Sequence, residues 1–265
     1  FRGVFKVDVT CPKDIYVPYL MTKDSEGKNQ QDLLDKVGVW YAGPDLWEAI
    51  RIGYRVTRVH ACYIWERLQK CFDDYITKVY SIKERFRNDK TNAMYTCAKL
   101  LMNSLSGKFG QKDSEEETFL FKGFDSPFEE KNLSRMLDFE MFDDGVMATL
   151  SPPPMIDRRK HATQISVFIL AHARRKMSKM LWAIGGYTDR NRCFLYTDTD
   201  SMILRKEAFE SIPKKYIGHS LGQLEDEFPN GYIISARFLA PKTYTLTLLS
   251  KTDAGYVLKV KTRCK

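Results

Sequence analysis

The sequence predicts an α/β fold, and three stretches carry that prediction. Residues 4–64 pass from a strand-like run through a short helical one to an alternating run. Residues 65–110 are almost free of Gly and Pro and space their apolar residues as helices do. Residues 195–204 read as strand, tight turn and strand.

Taken in order, residues 4–21 alternate and contain Pro12 and Pro18, which a helix interior does not tolerate, so they read as extended. Residues 44–50 open a short helix with Pro44 near its start; Gly53 and Tyr54 end it, and residues 55–64 form a strand. Leu68, Phe72, Tyr75, Ile76 and Val79, then Met94, Leu101 and Leu105, mark an antiparallel helix pair. Its polar tip is Asn88-Asp89-Lys90-Thr91-Asn92. Residues 111–160 are acidic, end near Ser151-Pro152-Pro153-Pro154, and read as an irregular insertion and linker. Residues 163–183 form a further helix and 192–204 the hairpin. Residues 218–231 read as loop and short helix, and 233–249 and 256–261 as strands.

Composition narrows the function. The chain of 265 residues is 43% apolar and 29% charged, a globular balance that excludes a disordered chain. Its formal charge of +8 favours a polyanionic partner, most simply nucleic acid. The charge is segregated: residues 156–206 hold eleven Lys or Arg against four Asp or Glu, whereas residues 111–145 hold four against eleven. That pattern suits a basic groove with an acidic outer insertion, and equally a solvated helix and loop. The cysteines Cys11, Cys62, Cys71, Cys97, Cys193 and Cys264 form no CxxC pair, which argues against zinc and for a reducing compartment, cytosol or nucleus. The longest apolar run, 167–171, is too short for a membrane span, so no membrane partner is expected. The chain starts at Phe1 and both ends fall in strand-like runs, which reads as a piece of a longer protein.

Three segments carry chemistry. In Leu195-Tyr196-Thr197-Asp198-Thr199-Asp200-Ser201-Met202-Ile203-Leu204, apolar residues flank two aspartates one residue apart. At a hairpin turn, Asp198 and Asp200 can hold hard divalent ions through oxygen while substrate phosphates complete the shell. Two like charges so close cost energy that a bound cation offsets, though Asp and Thr also suit a plain turn. The second segment places Lys99, Asn103 and Gly107 at i, i+4 and i+8, on one helix face. Lys99 suits a triphosphate, Asn103 adds polar contacts, and Gly107 admits close approach; an ordinary amphipathic helix fits the same residues. In the third, Lys242 and Tyr244 lie two apart on a strand and face one side, where a cation and a phenol can grip a nucleic-acid backbone. An edge lysine beside a half-buried tyrosine is the plainer reading.

In this order, the three segments resemble family B DNA polymerases, and the protein-primed adenoviral, transposon and linear-plasmid branch most. Tyr196 to Ser201 resembles the third polymerase motif, Lys99 to Gly107 the second, Lys242-Thr243-Tyr244 the lysine-x-tyrosine motif, and residues 260–265 the basic strand leading to the thumb. The helix 166–174 is similar to the one preceding the third motif. The resemblance implies an antiparallel palm sheet with helices packed on it, formed by residues 1–66 and 161–245. It also implies fingers at 67–110, an acidic insertion at 111–160 and the start of a thumb at 246–265. It implies nucleotidyl transfer from deoxynucleoside triphosphates to a primer hydroxyl on a DNA template-primer, or to a terminal priming protein. Two Mg2+ ions would sit on the catalytic ligands Asp198 and Asp200. Lys99, Asn103 and Arg87 would hold the nucleotide, and Tyr196, Arg174, Lys242, Thr243, Tyr244 and Lys261 the DNA. Lys99 is expected to face Asp198 across a cleft.

The sequence departs from the family twice. Ser106 stands where the second motif usually carries tyrosine, and the first motif, an aspartate followed by Ser-Leu-Tyr-Pro, is absent. Asp8-Val9-Thr10-Cys11-Pro12 fits better as the strand after it. A chain lacking that aspartate is expected to bind metal weakly and not to extend a primer. A catalytically dead DNA-binding remnant of a mobile element and a metal-dependent nuclease are the rival readings; no further carboxylate or histidine cluster supports the nuclease.

Overall fold

A computed structural model describes residues 2–67, 69–111, 117–122, 134–151, 162–188, 193–252 and 255–264. In chain order they form β1 (Gly3–Thr10), β2 (Met21–Lys23), β3 (Asn29–Gln31), β4 (Lys36–Ala42), α1 (Gly43–Ile52), β5 (Arg55–Ile64), α2 (Asp73–Arg85), α3 (Ala93–Gly110), β6 (Glu117–Lys122), β7 (Met136–Phe142) and β8 (Gly145–Leu150). Then come α4 (Thr163–Ala183), β9 (Phe194–Asp198), β10 (Ser201–Leu204), α5 (Lys206–Glu210), a 3-10 turn (Lys214–Tyr216), β11 (Gly231–Ala240), β12 (Thr243–Thr252) and β13 (Gly255–Arg263). The fold is mixed α/β with antiparallel sheets. It divides into two compact units, Phe1–Phe72 with Leu170–Lys265, and Asp73–Ile169. Among the described residues no helix is long and apolar enough to cross a membrane.

In the first unit β1 is the central strand of an antiparallel sheet ordered β4-β1-β5. Alternation puts Val7 and Val9 into a core with Ile15, Tyr19, Leu20, Leu46, Ala49, Ile52, Tyr54, Leu181 and Tyr187. α1 begins as the sequence dictates, with Pro44 in its first turn, and ends on Gly53 in a left-handed conformation at φ 118°. The Gly53 N–H donates to the Ala49 and Ile50 carbonyls, both at 3.1 Å.

α1 also buries two acids, Asp45 and Glu48, and α4 answers them. Arg174 donates from Nε (3.1 Å) and Nη2 (2.6 Å) to the two oxygens of Asp45, and Tyr19 Oη donates to Asp45 Oδ1 at 3.3 Å. Ser178 Oγ donates to Glu48 Oε1 at 3.1 Å, Tyr187 Oη donates to Ser178 Oγ at 2.8 Å, and Arg175 Nε lies 3.4 Å from Glu48 Oε2. Burial, with the charge of Asp45 beside it, pushes the Tyr19 phenol well above the ordinary range, so it stays a donor.

The late strands differ from expectation. The strands do not form one continuous palm sheet: β9-β10 and β11-β12-β13 are separate antiparallel sheets. Residues 233–249 are two strands, because Pro241 and Lys242 make a turn with Lys242 at φ 62°. The short helix expected within 218–231 lies earlier, at α5 and the 3-10 turn. Along β12, Tyr244, Leu246 and Leu248 are buried in alternation and form a second core with Tyr196, Ile203, Phe228 and Phe238 packed on it.

In the second unit, α2 and α3 are the expected helix pair. Tyr75, early in α2, donates to the carbonyl of Leu101, midway along α3, at 3.1 Å, as two helices folded back on each other allow. Asn92 caps α3 by accepting from the Met94 N–H at 2.9 Å. The first helix starts at Asp73, later than the apolar spacing implied: Trp65 N–H still bonds the Arg2 carbonyl at 2.8 Å, and Asp73 and Asp74 suit a helix N-terminus. Leu68 lies outside the described residues. Residues 111–160 are not simply irregular, since β6, β8 and β7 form a three-stranded antiparallel sheet. Acidic residues share β6 and β7 with apolar ones, and Ala148 and Leu150 of β8 are buried. Pro152, Pro153 and Pro154 lie outside the described residues.

The α1–α4 network predicts the cost of cutting it. Arg174→Ala leaves Asp45 buried without its paired cation and should destabilise the chain by about 2–4 kcal/mol, below the full buried-pair value because the guanidinium is 35% exposed. Asp45→Asn in the Arg174→Ala background should recover part of that loss. Urea unfolding at neutral pH measures both.

Candidate active site

The β9-β10 hairpin is held from two sides. Phe194 and Met202 pack on the first core, and Tyr196 and Ile203 on the second. Its two-residue turn is Thr199-Asp200, with Asp198 paired to Ser201 across it. Thr199 has φ 60°, uncommon for a β-branched residue. The turn is tied internally. Asp200 N–H donates to the Asp198 carbonyl (2.7 Å), Ser201 Oγ to the same carbonyl (3.2 Å), and Thr197 Oγ1 to the Ser201 carbonyl (2.8 Å).

Asp198 is the focus. Its carboxylate is only 12% exposed and meets two cations: the Lys242 ammonium bonds Oδ1, and Arg263 Nη1 lies 3.6 Å from Oδ2. Thr199 Oγ1 also donates to Oδ1 at 3.2 Å. The Lys242 bond is the main reason the Asp198 carboxyl is held below the ordinary carboxylate range, with Thr199 and Arg263 adding to it. Asp200 is exposed.

Lys242 reaches Asp198 from the β11-β12 turn, and not from a strand face shared with Tyr244. In that turn its N–H donates to Tyr196 Oη at 2.8 Å. The Tyr196 ring stacks on Phe238 at 5.0 Å and meets Tyr244 edge-on at 5.3 Å. Arg263 is the cross-strand partner of Tyr244. Among the described residues, Thr199 and Lys242 are the only non-glycine residues at positive φ, and both adjoin Asp198. Such backbone costs roughly 1–3 kcal/mol at each position and persists where the surroundings impose it.

The expected residues fall in both units. Asp198, Asp200, Tyr196, Lys242, Thr243 and Tyr244 belong to this neighbourhood, with Thr243 opening β12. Lys261, on β13, pairs with Glu227 at 3.1 Å and lies 5.4 Å from the Phe228 ring centre. Arg174 is not a free guanidinium, because Asp45 takes it. In the second unit Lys99, Asn103 and Gly107 are exposed along α3, with open space where a side chain on Gly107 would lie. Ser106 Oγ donates to the Asn103 carbonyl at 3.4 Å, and Arg87 Nη1 to Glu84 Oε2 at 3.4 Å. Sequence reasoning missed Arg263 and Phe238. The signal for Arg263 is its register opposite Tyr244 in a β12-β13 hairpin.

Among the described residues no group of three or more His, Cys, Asp or Glu is gathered as a metal site. Two carboxylates at one turn, one exposed and one balanced by an ammonium, are hard oxygen donors that fit a divalent cation of the magnesium type once Lys242 gives way. They are fewer than two ions need.

Residues 1–184 match the family of type B DNA polymerases, organellar and viral. The chain belongs to that family. It is 30% identical over 248 residues to a probable DNA polymerase of Ascobolus immersus, which covers 91% of this chain and 19% of that protein. It is 29% identical over 205 residues to a DNA polymerase of Kluyveromyces lactis, covering 71% and 20%. With a probable DNA polymerase of Neurospora intermedia it shares 32% identity over 120 residues, 44% and 12% of the two chains. The chain thus spans about a fifth of the length of the first two of these curated relatives. No solved structure matches it.

The electrostatics of Asp198 predict a pH dependence. Its folded pKa lies below its unfolded one, so its contribution to stability is present above the ordinary carboxylate pKa and is lost as pH falls through the depressed value. Lys242→Met should raise the Asp198 pKa toward the ordinary range and move that loss to higher pH. Carbon-detected titration of the Asp198 carboxyl, with unfolding curves at matched pH, reads both.

Proposed function

We propose that this chain is a catalytic-core segment of a DNA-directed DNA polymerase that transfers a nucleotidyl group from a deoxynucleoside triphosphate to a primer hydroxyl on a DNA template. A terminal priming protein is an alternative source of that hydroxyl. One observation carries the reading above all: Asp198 and Asp200 sit at a turn fixed between two cores and surrounded by Lys242, Tyr196, Tyr244 and Arg263.

In this reading Asp198 and Asp200 are ligands to magnesium, which when bound supplies positive charge against the triphosphate. The family's two-ion arrangement needs a further carboxylate from the first motif. Phosphoryl transfer asks a protein mainly for position and charge, so the remaining roles are modest. Lys99 holds the triphosphate as a point charge, Asn103 supports it on the same helix face, and Arg87 adds a second phosphate contact. With a cation on Asp198, Lys242 would be free to hold a primer phosphate instead, while Tyr196 holds its backbone in place. Tyr244, Thr243 and Lys261 contact the DNA backbone. Ser106, smaller than the family's tyrosine, leaves more room beside the incoming nucleotide. That smaller residue favours a second reading, a DNA-binding remnant without catalysis.

Primer extension under magnesium separates the two. A polymerase that carries this segment together with the first-motif aspartate should extend a primer. Asp198→Asn should lower its rate on the order of a thousandfold or more, with DNA affinity unchanged or slightly raised. The segment without that aspartate should not extend. An Asp198→Asn polymerase that extends at the parent rate refutes the proposal, and a parent that binds template-primer without extending it supports the remnant.

A further inference from the structure

The β4-β1-β5 sheet has a second face that the polymerase reading does not use. Val7 and Val9 point into the first core, together with the Phe194 and Met202 side chains of the Asp198 hairpin. The intervening residues Val4, Lys6 and Asp8 face the other way. Register places Tyr63 opposite Val4, Trp40 opposite Lys6 and Arg58 opposite Asp8 on that outward face, with Arg55 opposite Thr10 at its end. This face and the hairpin therefore lie on opposite sides of the sheet.

Its surface is aromatic and basic. Trp40 and Tyr63 stack on each other across the sheet, ring centres 5.5 Å apart and planes 20° apart. They remain 43% and 66% exposed, so the stack is open to a further ring. The three strands carry Lys6, Lys36, Arg55 and Arg58 against one acid, Asp8. Lys36 is buried against Asp32, which leaves Lys6, Arg55 and Arg58 for this face. Asp8 is already engaged, by His60 Nε2 at 2.6 Å and by the Gly38 N–H at 2.8 Å. Open rings among cations that outnumber the one acid, three to one, are the elements that stack unpaired bases and hold the phosphates between them. Paired bases are stacked within their own duplex and cannot offer a ring face in the same way.

We propose that the outward face of the β4-β1-β5 sheet binds single-stranded nucleic acid, with Tyr63 and Trp40 stacking bases and Lys6, Arg55 and Arg58 holding phosphates. The charge selects this occupant over an apolar protein surface, which would use the rings alone, whereas a single strand uses both rings and cations.

Fluorescence anisotropy of a labelled twelve-residue oligo-dT against the full 265-residue chain tests this directly. Tyr63→Ala should weaken binding about fivefold to a hundredfold, the range for losing one base stack, and Trp40→Ala should do likewise. Tyr63→Phe keeps the ring and should stay within about twofold of the parent. Arg58→Gln should reduce the slope of log affinity against log salt by about 0.7, one single-strand phosphate. Thermal melts of each variant at the parent's temperature assign the losses to binding. The proposal is overturned if Tyr63→Ala binds as the parent does, if Tyr63→Phe loses as much as Tyr63→Ala, or if a duplex of the same length binds as well and suffers the same losses. The first of these outcomes leaves the rings as a protein contact.

Discussion

A carboxylate that is 12% exposed at the end of a hairpin needs a counter-charge, and at Asp198 the protein supplies two. Nearly every feature of the neighbourhood serves that need. Lys242 reaches Asp198 because a turn interrupts what would otherwise be one long strand. That turn holds its shape because Tyr196 accepts the Lys242 N–H while its ring lies flat on Phe238. Arg263 reaches the same carboxylate because β13 pairs in a register that sets it opposite Tyr244. The site is thus a charge balance built from three sequence-distant segments, with two left-handed residues, Thr199 and Lys242, as its local cost.

That balance has a functional consequence under the polymerase reading. A carboxylate held by a protein ammonium is kept ionised and oriented, which is the state a divalent cation requires, and the ammonium is displaced without leaving a bare charge if a phosphate can receive it. The Asp198 hairpin can tolerate such an exchange because its position does not depend on Lys242 alone: Phe194 and Met202 anchor it on one core and Tyr196 and Ile203 on another. The buried acids of α1 follow the same logic without the exchange. Asp45 has its cation in a bidentate grip, which is why Arg174, basic and attractive as a DNA contact in the sequence, works in the packing of α4 on α1.

What was legible in the sequence was local. Pro44 and Gly53 announce both ends of α1, and the Gly- and Pro-poor run with its polar interruption announces α2 and α3. Two aspartates between apolar runs announce the β9-β10 turn, because few other arrangements put paired acids among hydrophobic residues. What was not legible depended on pairing between distant strands. Nothing local separates β9-β10 from a larger sheet, or brings Arg263 to Asp198. The sheet of β6, β8 and β7 was hidden for a different reason: the acidic excess of residues 111–145 masks β6 and β7, without which β8 has no partner to reveal it. Lys242 was misplaced because a lone proline in a strand-like run is a weak turn signal, and its side chain ended up on a carboxylate two segments away.

The exchange at Asp198 is the central claim, and divalent-ion affinity tests it most directly. Manganese binding to the chain, followed by electron paramagnetic resonance in the absence of nucleic acid, should tighten by about tenfold or more when Lys242 is replaced by Met, because the ion then meets one competing cation fewer. Asp198→Asn should abolish that site. Manganese affinity that is unchanged or weakened in Lys242→Met would contradict the account, since Lys242 would then be no competitor for the carboxylate.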